Sequence, residues 1–225
     1  MSDYWQQYWN RKTNSSNPQI QVGRTKYGEP ISEGQLNREI ESLIRTIGIE
    51  ANDIVIDLCC GNGSITRIIA EKARRILAVD YSKPLLDLAP KNLPNVEFFY
   101  SDARKFNFNE FNFNKLIWLF SIQHFTLKES AVILKKAIKS IPKGGRILIA
   151  DVPDMTKKFD FFEGEEAVTF YFDKLTSFGC PIGTWYDQNW FISLGFWLKA
   201  SKVEIIQKPN FHFNHQYRFD VIIEK

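Results

Sequence analysis

From Ile54 onward, short apolar runs alternate with stretches in which apolar residues recur every three or four positions. Ile54–Leu58, Ile76–Val79, Val96–Tyr100, Leu116–Phe120 and Arg146–Ala150 are rich in β-branched or aromatic residues and predict five strands. Between them Ile65, Ile68 and Ile69 mark a helix. Ser82 caps another that runs through Leu88, with Pro84 in its first turn and Pro90 ending it. Leu127, Ala131, Leu134, Ile138 and Ile141 form a further helical stripe that Pro142 stops, and Lys143-Gly144-Gly145 turns into the fifth strand. Upstream, Leu36, Ile40, Leu43, Ile44 and Ile47 keep helical spacing as far as Gly48. Strands and helices alternating in this way imply a parallel sheet covered on both faces. Val203–Gln207 and Tyr217–Ile223 follow with no helix between them, which predicts an antiparallel pair closing one edge. The expected fold is a doubly wound α/β domain with a seven-stranded, mostly parallel sheet.

Three segments depart from this rhythm. Residues 1–35 are polar and irregular, so they are read as an arm or cap ahead of a domain at 36–225. Within the arm Tyr4, Trp5, Tyr8 and Trp9 have the spacing to share one helical face. Residues 106–114, FNFNEFNFN, alternate like a strand, but asparagine is a poor strand former, and a loop entering the fourth strand is expected. Residues 152–186 exceed a minimal crossover. From Phe159 to Trp197 aromatics crowd well beyond the 15% of the whole chain, which predicts a lid over the strand ends. Trp190, Phe191, Leu194 and Trp197 have helical spacing and read as core, while Tyr171, Phe178, Trp185 and Tyr186 are the pocket candidates.

Composition narrows the function classes. A chain of 225 residues with 29 basic and 26 acidic side chains, net +3, has no electrostatic footprint for nucleic acid or an anionic membrane. No apolar run approaches a membrane span, and the N-terminus lacks a secretory pattern, so a cytoplasmic protein is expected. Cys59, Cys60 and Cys180 have no metal-binding spacing and read as reduced thiols. No His, Asp and Glu residues cluster persuasively, and no metal is expected.

The chemistry concentrates after the first strand. Ligands of doubly wound sheets bind beyond the carboxyl ends of the strands. Here that end reads Asp57-Leu58-Cys59-Cys60-Gly61-Asn62-Gly63-Ser64, and the second strand ends in Asp80, where a carboxylate can accept hydrogen bonds from a ribose. The dinucleotide fingerprint G-x-G-x-x-G is missing, because Cys59 and then Ile65 or Thr66 fall where glycines belong. The G-x-x-x-x-G-K-[ST] loop is absent as well. At these residues the chain resembles class I, Rossmann-like methyltransferases that use S-adenosylmethionine. The resemblance continues through Asp80-Tyr81-Ser82, Ser101-Asp102-Ala103, Lys143-Gly144-Gly145-Arg146 and Tyr217-Arg218-Phe219-Asp220-Val221. It implies S-adenosylmethionine as cofactor and S-adenosylhomocysteine as product. Asp57, Cys59, Gly61 and Gly63 would lie around the methionine and ribose. Asp80 and Tyr81 would meet the ribose, Asp102 and Ala103 the adenine, and Ser121 the methionine end.

The acceptor must be read elsewhere. Methyl transfer is an in-line displacement that mainly needs alignment, with a base where the attacking group carries a proton. His124 follows the fourth strand and is the leading base candidate, with a backbone-bonded histidine at a helix start as the bland alternative. Asp151 and Asp154 follow the fifth strand and could orient a hydroxyl or amine, or only cap turns. His212 and His215 fall in the last connection and read as surface. Arg24, in Gln21-Val22-Gly23-Arg24-Thr25, could pair with a carboxylate or phosphate, or belong to a solvated arm. The arm, the first loop and Arg218-Phe219-Asp220 are similar to small standalone methyltransferases of bacterial surface-polysaccharide or natural-product pathways. That likeness implies a small-molecule hydroxyl acceptor (of a sugar, a phosphorylated precursor or a secondary metabolite) and a monomer or homodimer. The alternatives are a small amine as acceptor, or a SAM-binding domain without turnover. An exocyclic base amine fits less well, since Phe120-Ser121-Ile122-Gln123 stands where [DN]-P-P-[YF] would.

Overall fold

The computed structural model of the chain describes residues 2–26, 28–177 and 183–225. Seven strands form one sheet: β1 (Ile54–Leu58), β2 (Arg75–Asp80), β3 (Val96–Tyr100), β4 (Lys115–Leu119), β5 (Arg146–Pro153), β6 (Lys202–Gln207) and β7 (Arg218–Glu224). Their spatial order is β3-β2-β1-β4-β5-β7-β6, with the first five parallel and β7 antiparallel to both β5 and β6. The chain reverses its direction of winding between β1 and β4, so a crevice opens at their carboxyl ends.

The central strands are apolar on both faces because both are covered. Ile56, Leu58, Leu77, Val79, Trp118, Ile147 and Ile149 pack to one side, with the helices Leu127–Ser140 and Gln188–Leu198. Val55, Ile76, Ala78, Ile117 and Leu148 pack to the other, with the helices Glu33–Ile47 and Ser64–Ala70. The caps are those expected from residue type. Ser82 accepts from Leu85 N, Thr126 and Glu129 form a reciprocal capping box, and Gly48 ends its helix in the left-handed region.

Residues 106–114 are a loop, and their alternation has a physical reason. Phe106, Phe108 and Phe113 enter the core, whereas Asn107 caps a single 3-10 turn. Asn114 Oδ1 accepts from Ile54 N at 2.8 Å, tying the loop to β1.

Strand five differs from expectation. It runs past Ala150 to Pro153 across a bulge between Ile149 and Val152, with Asp151 at φ 64°. The turn aims Asp151 N at Asp220 Oδ1 (2.8 Å) and its carbonyl at Arg218 Nη1 (3.0 Å). Lys208, whose side chain is fully buried, lies 3.0 Å from Asp220 and 3.5 Å from Asp151. The ion cluster thus pins the bulge to β7. Removing its lysine would strand two buried carboxylates. Lys208→Met is expected to cost about 3–5 kcal/mol of stability, measured by denaturant unfolding; an unchanged midpoint would show that the cluster contributes nothing.

Candidate active site

The carboxyl ends of β1, β2, β3 and β4 surround a cleft of about 890 Å³, counted out to its open mouth. Its floor is the turn after β1. Cys59 adopts φ 65° and Gly61 φ 60°, so the backbone doubles back and both Cys59 N and Cys60 N donate to Val79 O, at 2.7 and 3.0 Å. A Cβ on Gly61 would come within 3.0 Å of Val22, so glycine is what lets the arm close on this turn.

Asp80 joins the turn to the next strand end. Its two carboxylate oxygens accept from Gly61 N at 2.8 Å and Ser82 N at 2.7 Å. Burial raises its pKa to about 6, against these backbone N–H groups, which lower it. The carboxylate lines the cleft and keeps lone pairs for further donors. Asp57 is placed differently. It lies beneath the turn, outside the cleft wall, and accepts from Thr66 Oγ1 at 2.7 Å; burial raises its pKa to about 7. Gly63 is likewise behind the wall, at the start of the Ser64–Ala70 helix.

Cys59, Gly61, Asp80, Tyr81, Asp102, Ala103, Ser121, His124 and Arg24 all line the cleft. Asp102 is already held by Arg104, which takes both its oxygens and also reaches Glu129 at 3.0 Å. Burial works against ionisation of Asp102, but Arg104 outweighs it and holds the carboxyl below its usual range. Ser121 Oγ, both ring nitrogens of His124 and Arg24 Nε are shielded from water and have no hydrogen-bond partner. His124 is packed against Trp5 and Trp9, with ring centroids 4.1 and 5.3 Å away. Burial, aided by the charge of Arg218, lowers its pKa to about 3, so the ring stays neutral.

The aromatic wall comes from the arm rather than from the lid. Ser2–Lys12 is a helix that turns Trp5 and Trp9 into the cleft and leaves Tyr4 and Tyr8 largely exposed. It is fastened to the β2 loop by Gln6 Nε2 donating to Tyr81 O (3.0 Å) and Ser82 Oγ donating to Asn10 Oδ1 (2.7 Å). Asn62 Nδ2 donates to Pro18 O and Gln21 Oε1 at 2.9 and 2.8 Å. The i, i+4 spacing of the two tryptophans was the available signal, but nothing in it specified which side of the helix the domain would cover. Val22, Arg104 and Phe125 also line the cleft.

The expected lid residues lie elsewhere. Tyr171 and Trp185 pack with Phe162 in a separate apolar cluster. Tyr186 is wholly in the core and holds the β4 loop from below: its hydroxyl meets Ser130 Oγ at 2.7 Å and donates to Ile122 O at 3.2 Å. Phe178, with Cys180, lies outside the described residues. Asp151 is not on the cleft wall, because the bulge commits it to Lys208 and Arg218. Asp154 caps the next turn, accepting from Thr156 N at 2.9 Å. His212 is buried rather than at the surface, and both its nitrogens lack partners. Among the described residues no three His, Cys, Asp or Glu side chains gather as a metal site would require.

The strand order and this cleft define the Rossmann-like, class I methyltransferase fold. Residues 55–145 match the family model of a methyltransferase domain. A probable ribosomal RNA small subunit methyltransferase A of Methanococcus aeolicus is 31% identical over 81 residues, covering 35% of this chain and 30% of that protein. A demethylmenaquinone methyltransferase of Thermotoga maritima is 29% identical over 108 residues, 47% of this chain and 46% of that protein. The chain thus spans about a third to a half of the length of these relatives. The magnesium protoporphyrin IX methyltransferase of Synechocystis, solved with bound S-adenosylhomocysteine, superposes with a TM-score of 0.66 at 12% identity, covering 98% of this chain and 99% of that one.

Asp57 binds its proton more tightly folded than unfolded, where its pKa is about 3.9. Its contribution to stability is therefore full below about pH 4 and is lost as pH rises through about 7. Asp57→Asn is expected to melt several degrees above the unmodified chain at pH 8 and close to it at pH 5. An equal offset at both pH values would contradict the raised pKa.

Proposed function

We propose that the chain transfers a methyl group from S-adenosylmethionine to a small-molecule acceptor, most readily a hydroxyl oxygen. The observation that carries the donor assignment is Asp80. It is a buried carboxylate on the cleft wall, fixed by Gly61 N and Ser82 N, with unused lone pairs where a ribose diol would lie. Asp102, Ala103 and Leu85 supply an adenine site on one side of it. Cys59, Gly61 and Ser121 face the methionine and the sulfonium on the other. The donor supplies an electrophilic methyl and a neutral leaving thioether. The protein's part is to keep water out and to align the acceptor.

His124 is the group that meets the acceptor's proton. With a pKa of about 3 in this dry setting it is neutral, so it accepts a hydrogen bond from an O–H or N–H and turns a lone pair of the acceptor toward the methyl. Burial and Arg218 oppose a full imidazolium, so His124 aligns the acceptor, and the proton that the hydroxyl loses as the methyl is transferred passes to bulk water at the open mouth of the cleft. Trp5, Trp9 and Phe125 make the acceptor side of the cleft predominantly apolar, which suits a compact molecule better than a nucleic-acid backbone. Burial keeps the Cys59 and Cys60 thiols protonated.

Two measurements test this reading. Calorimetry should show S-adenosylhomocysteine affinity rising as pH climbs through about 6, the range in which Asp80 ionises, and levelling above it. Asp80→Asn should flatten the profile and weaken binding roughly 10- to 100-fold, the loss of charge-assisted hydrogen bonds. A pH-independent wild type, or an unchanged variant, counts against the ribose role. Release of S-adenosylhomocysteine should then be followed over panels of hydroxyl and amine acceptors. His124→Ala should lower turnover on the accepted class at least about tenfold while leaving donor affinity nearly intact. Turnover on amines alone would replace the hydroxyl reading, and turnover on none would favour a binding domain.

A further inference from the structure

We propose that the methyl acceptor is a phenol, a single hydroxyl on a flat aromatic ring that takes its place against His124 and the arm tryptophans. The inference rests on the donor assignment above and narrows the acceptor that it leaves open. The cleft wall around Ser121 and His124 includes Trp5, Trp9, Phe120 and Phe125. The ring of His124 is already packed on an aromatic surface, with the centroids of Trp5 and Trp9 at 4.1 and 5.3 Å. Its nitrogens are shielded from water, so a hydroxyl reaches them only where one of these ring contacts gives way. A second aromatic ring restores the edge and face contacts that the displaced indole made, whereas a saturated skeleton does not.

The polar groups on this part of the wall are few. Ser121 Oγ, the two ring nitrogens of His124 and Arg24 Nε are buried without a partner. Arg24 is otherwise committed. Its Nη2 is paired with Glu39, and Phe120 and Phe213 cover the faces of its guanidinium, with ring centroids 3.7 and 4.5 Å away. Ser121 and His124 together satisfy one hydroxyl, His124 accepting from it and Ser121 donating to it. A sugar would bring several hydroxyls into the same apolar surroundings, and most would be left unpaired at a cost in affinity.

The chemistry of the step points the same way. Burial and the charge of Arg218 keep His124 neutral, so it holds the acceptor without storing its proton. The acceptor must then give up that proton readily by itself. A phenol ionises at a pH of about 10, within reach of neutral water, while an aliphatic hydroxyl stays protonated throughout that range. In the transfer the phenol oxygen bonds to the methyl carbon as the carbon–sulfur bond breaks. The sulfur keeps the electron pair and leaves as a neutral thioether, and the phenol proton passes to water at the mouth of the cleft.

The test titrates three probes into the chain saturated with S-adenosylhomocysteine: 2-naphthol, its saturated counterpart 2-decalol, and glucose. Calorimetry should show 2-naphthol binding about fivefold or more tighter than 2-decalol, the worth of one or two ring pairs, and glucose should not displace it. Trp5→Leu should weaken 2-naphthol about five- to tenfold, and Trp5→Phe should recover most of that loss. In both variants S-adenosylhomocysteine affinity should move by less than about threefold, which also shows that the arm and the donor site remain folded. Equal affinity for 2-naphthol and 2-decalol, no binding of 2-naphthol, or displacement of it by glucose would overturn the assignment. So would an unchanged 2-naphthol affinity in Trp5→Leu, or an equal loss of 2-naphthol and S-adenosylhomocysteine there. If the wild-type chain does not bind S-adenosylhomocysteine, the donor assignment has failed first and the phenol falls with it.

Discussion

One carboxylate organises the ligand side of this sheet. Asp80 ends β2, and its two oxygens hold the turn after β1 through Gly61 N and the start of the next helix through Ser82 N. A buried carboxyl is costly to ionise, and burial does push its pKa up to about 6. The backbone donors are what keep ionisation within reach near neutral pH. The same carboxylate lines the cleft, so the interaction that shapes the turn also shapes the proposed donor site. The arm depends on it in turn, since Gln6 donates to the Tyr81 carbonyl and Asn10 accepts from the Ser82 hydroxyl, on the two residues that follow Asp80.

Backbone strain follows the same line. Cys59, Phe120 and Asp151 each hold a positive φ just beyond or within the ends of β1, β4 and β5, three neighbouring strands. Left-handed non-glycine residues cost of order 1 kcal/mol or more each and persist where surrounding contacts over-determine them. Those contacts are visible here. Val79 O takes the Cys59 and Cys60 amides, Ala150 O takes Phe120 N, and the Lys208–Asp220 pair fixes Asp151. The first two turns put Cys59 and Phe120 on the cleft wall, while the third serves the β5–β7 junction.

Much of this was legible in the residues. Strand and helix identities followed from apolar period, and the position of a cleft at the strand ends followed from the turn after β1 and from Asp80. Even there, burial separates Asp80, on the wall, from Asp57 and Gly63 behind it, a distinction that spacing cannot make. The proposed acceptor side was less legible because it is assembled from distant segments. Trp5 and Trp9 reach His124 only after the arm folds back over β2. The aromatic-rich stretch after β5 read as a pocket wall, but Tyr171 and Trp185 satisfy one another in a side cluster and Tyr186 is drawn into the core by Ser130. Asp151 was misplaced because a one-residue bulge cannot be seen in an apolar run, and that bulge turns its carboxylate from the cleft to Lys208.

The central claim is that this cleft recognises an adenosyl donor and not a dinucleotide. Its most direct test is a structure of the chain crystallised with S-adenosylhomocysteine and NAD supplied together. The account predicts S-adenosylhomocysteine alone in the density, with both ribose hydroxyls within hydrogen-bonding distance of Asp80 and the adenine beside Ala103. NAD in the cleft, or a nucleoside bound without contact to Asp80, would contradict it.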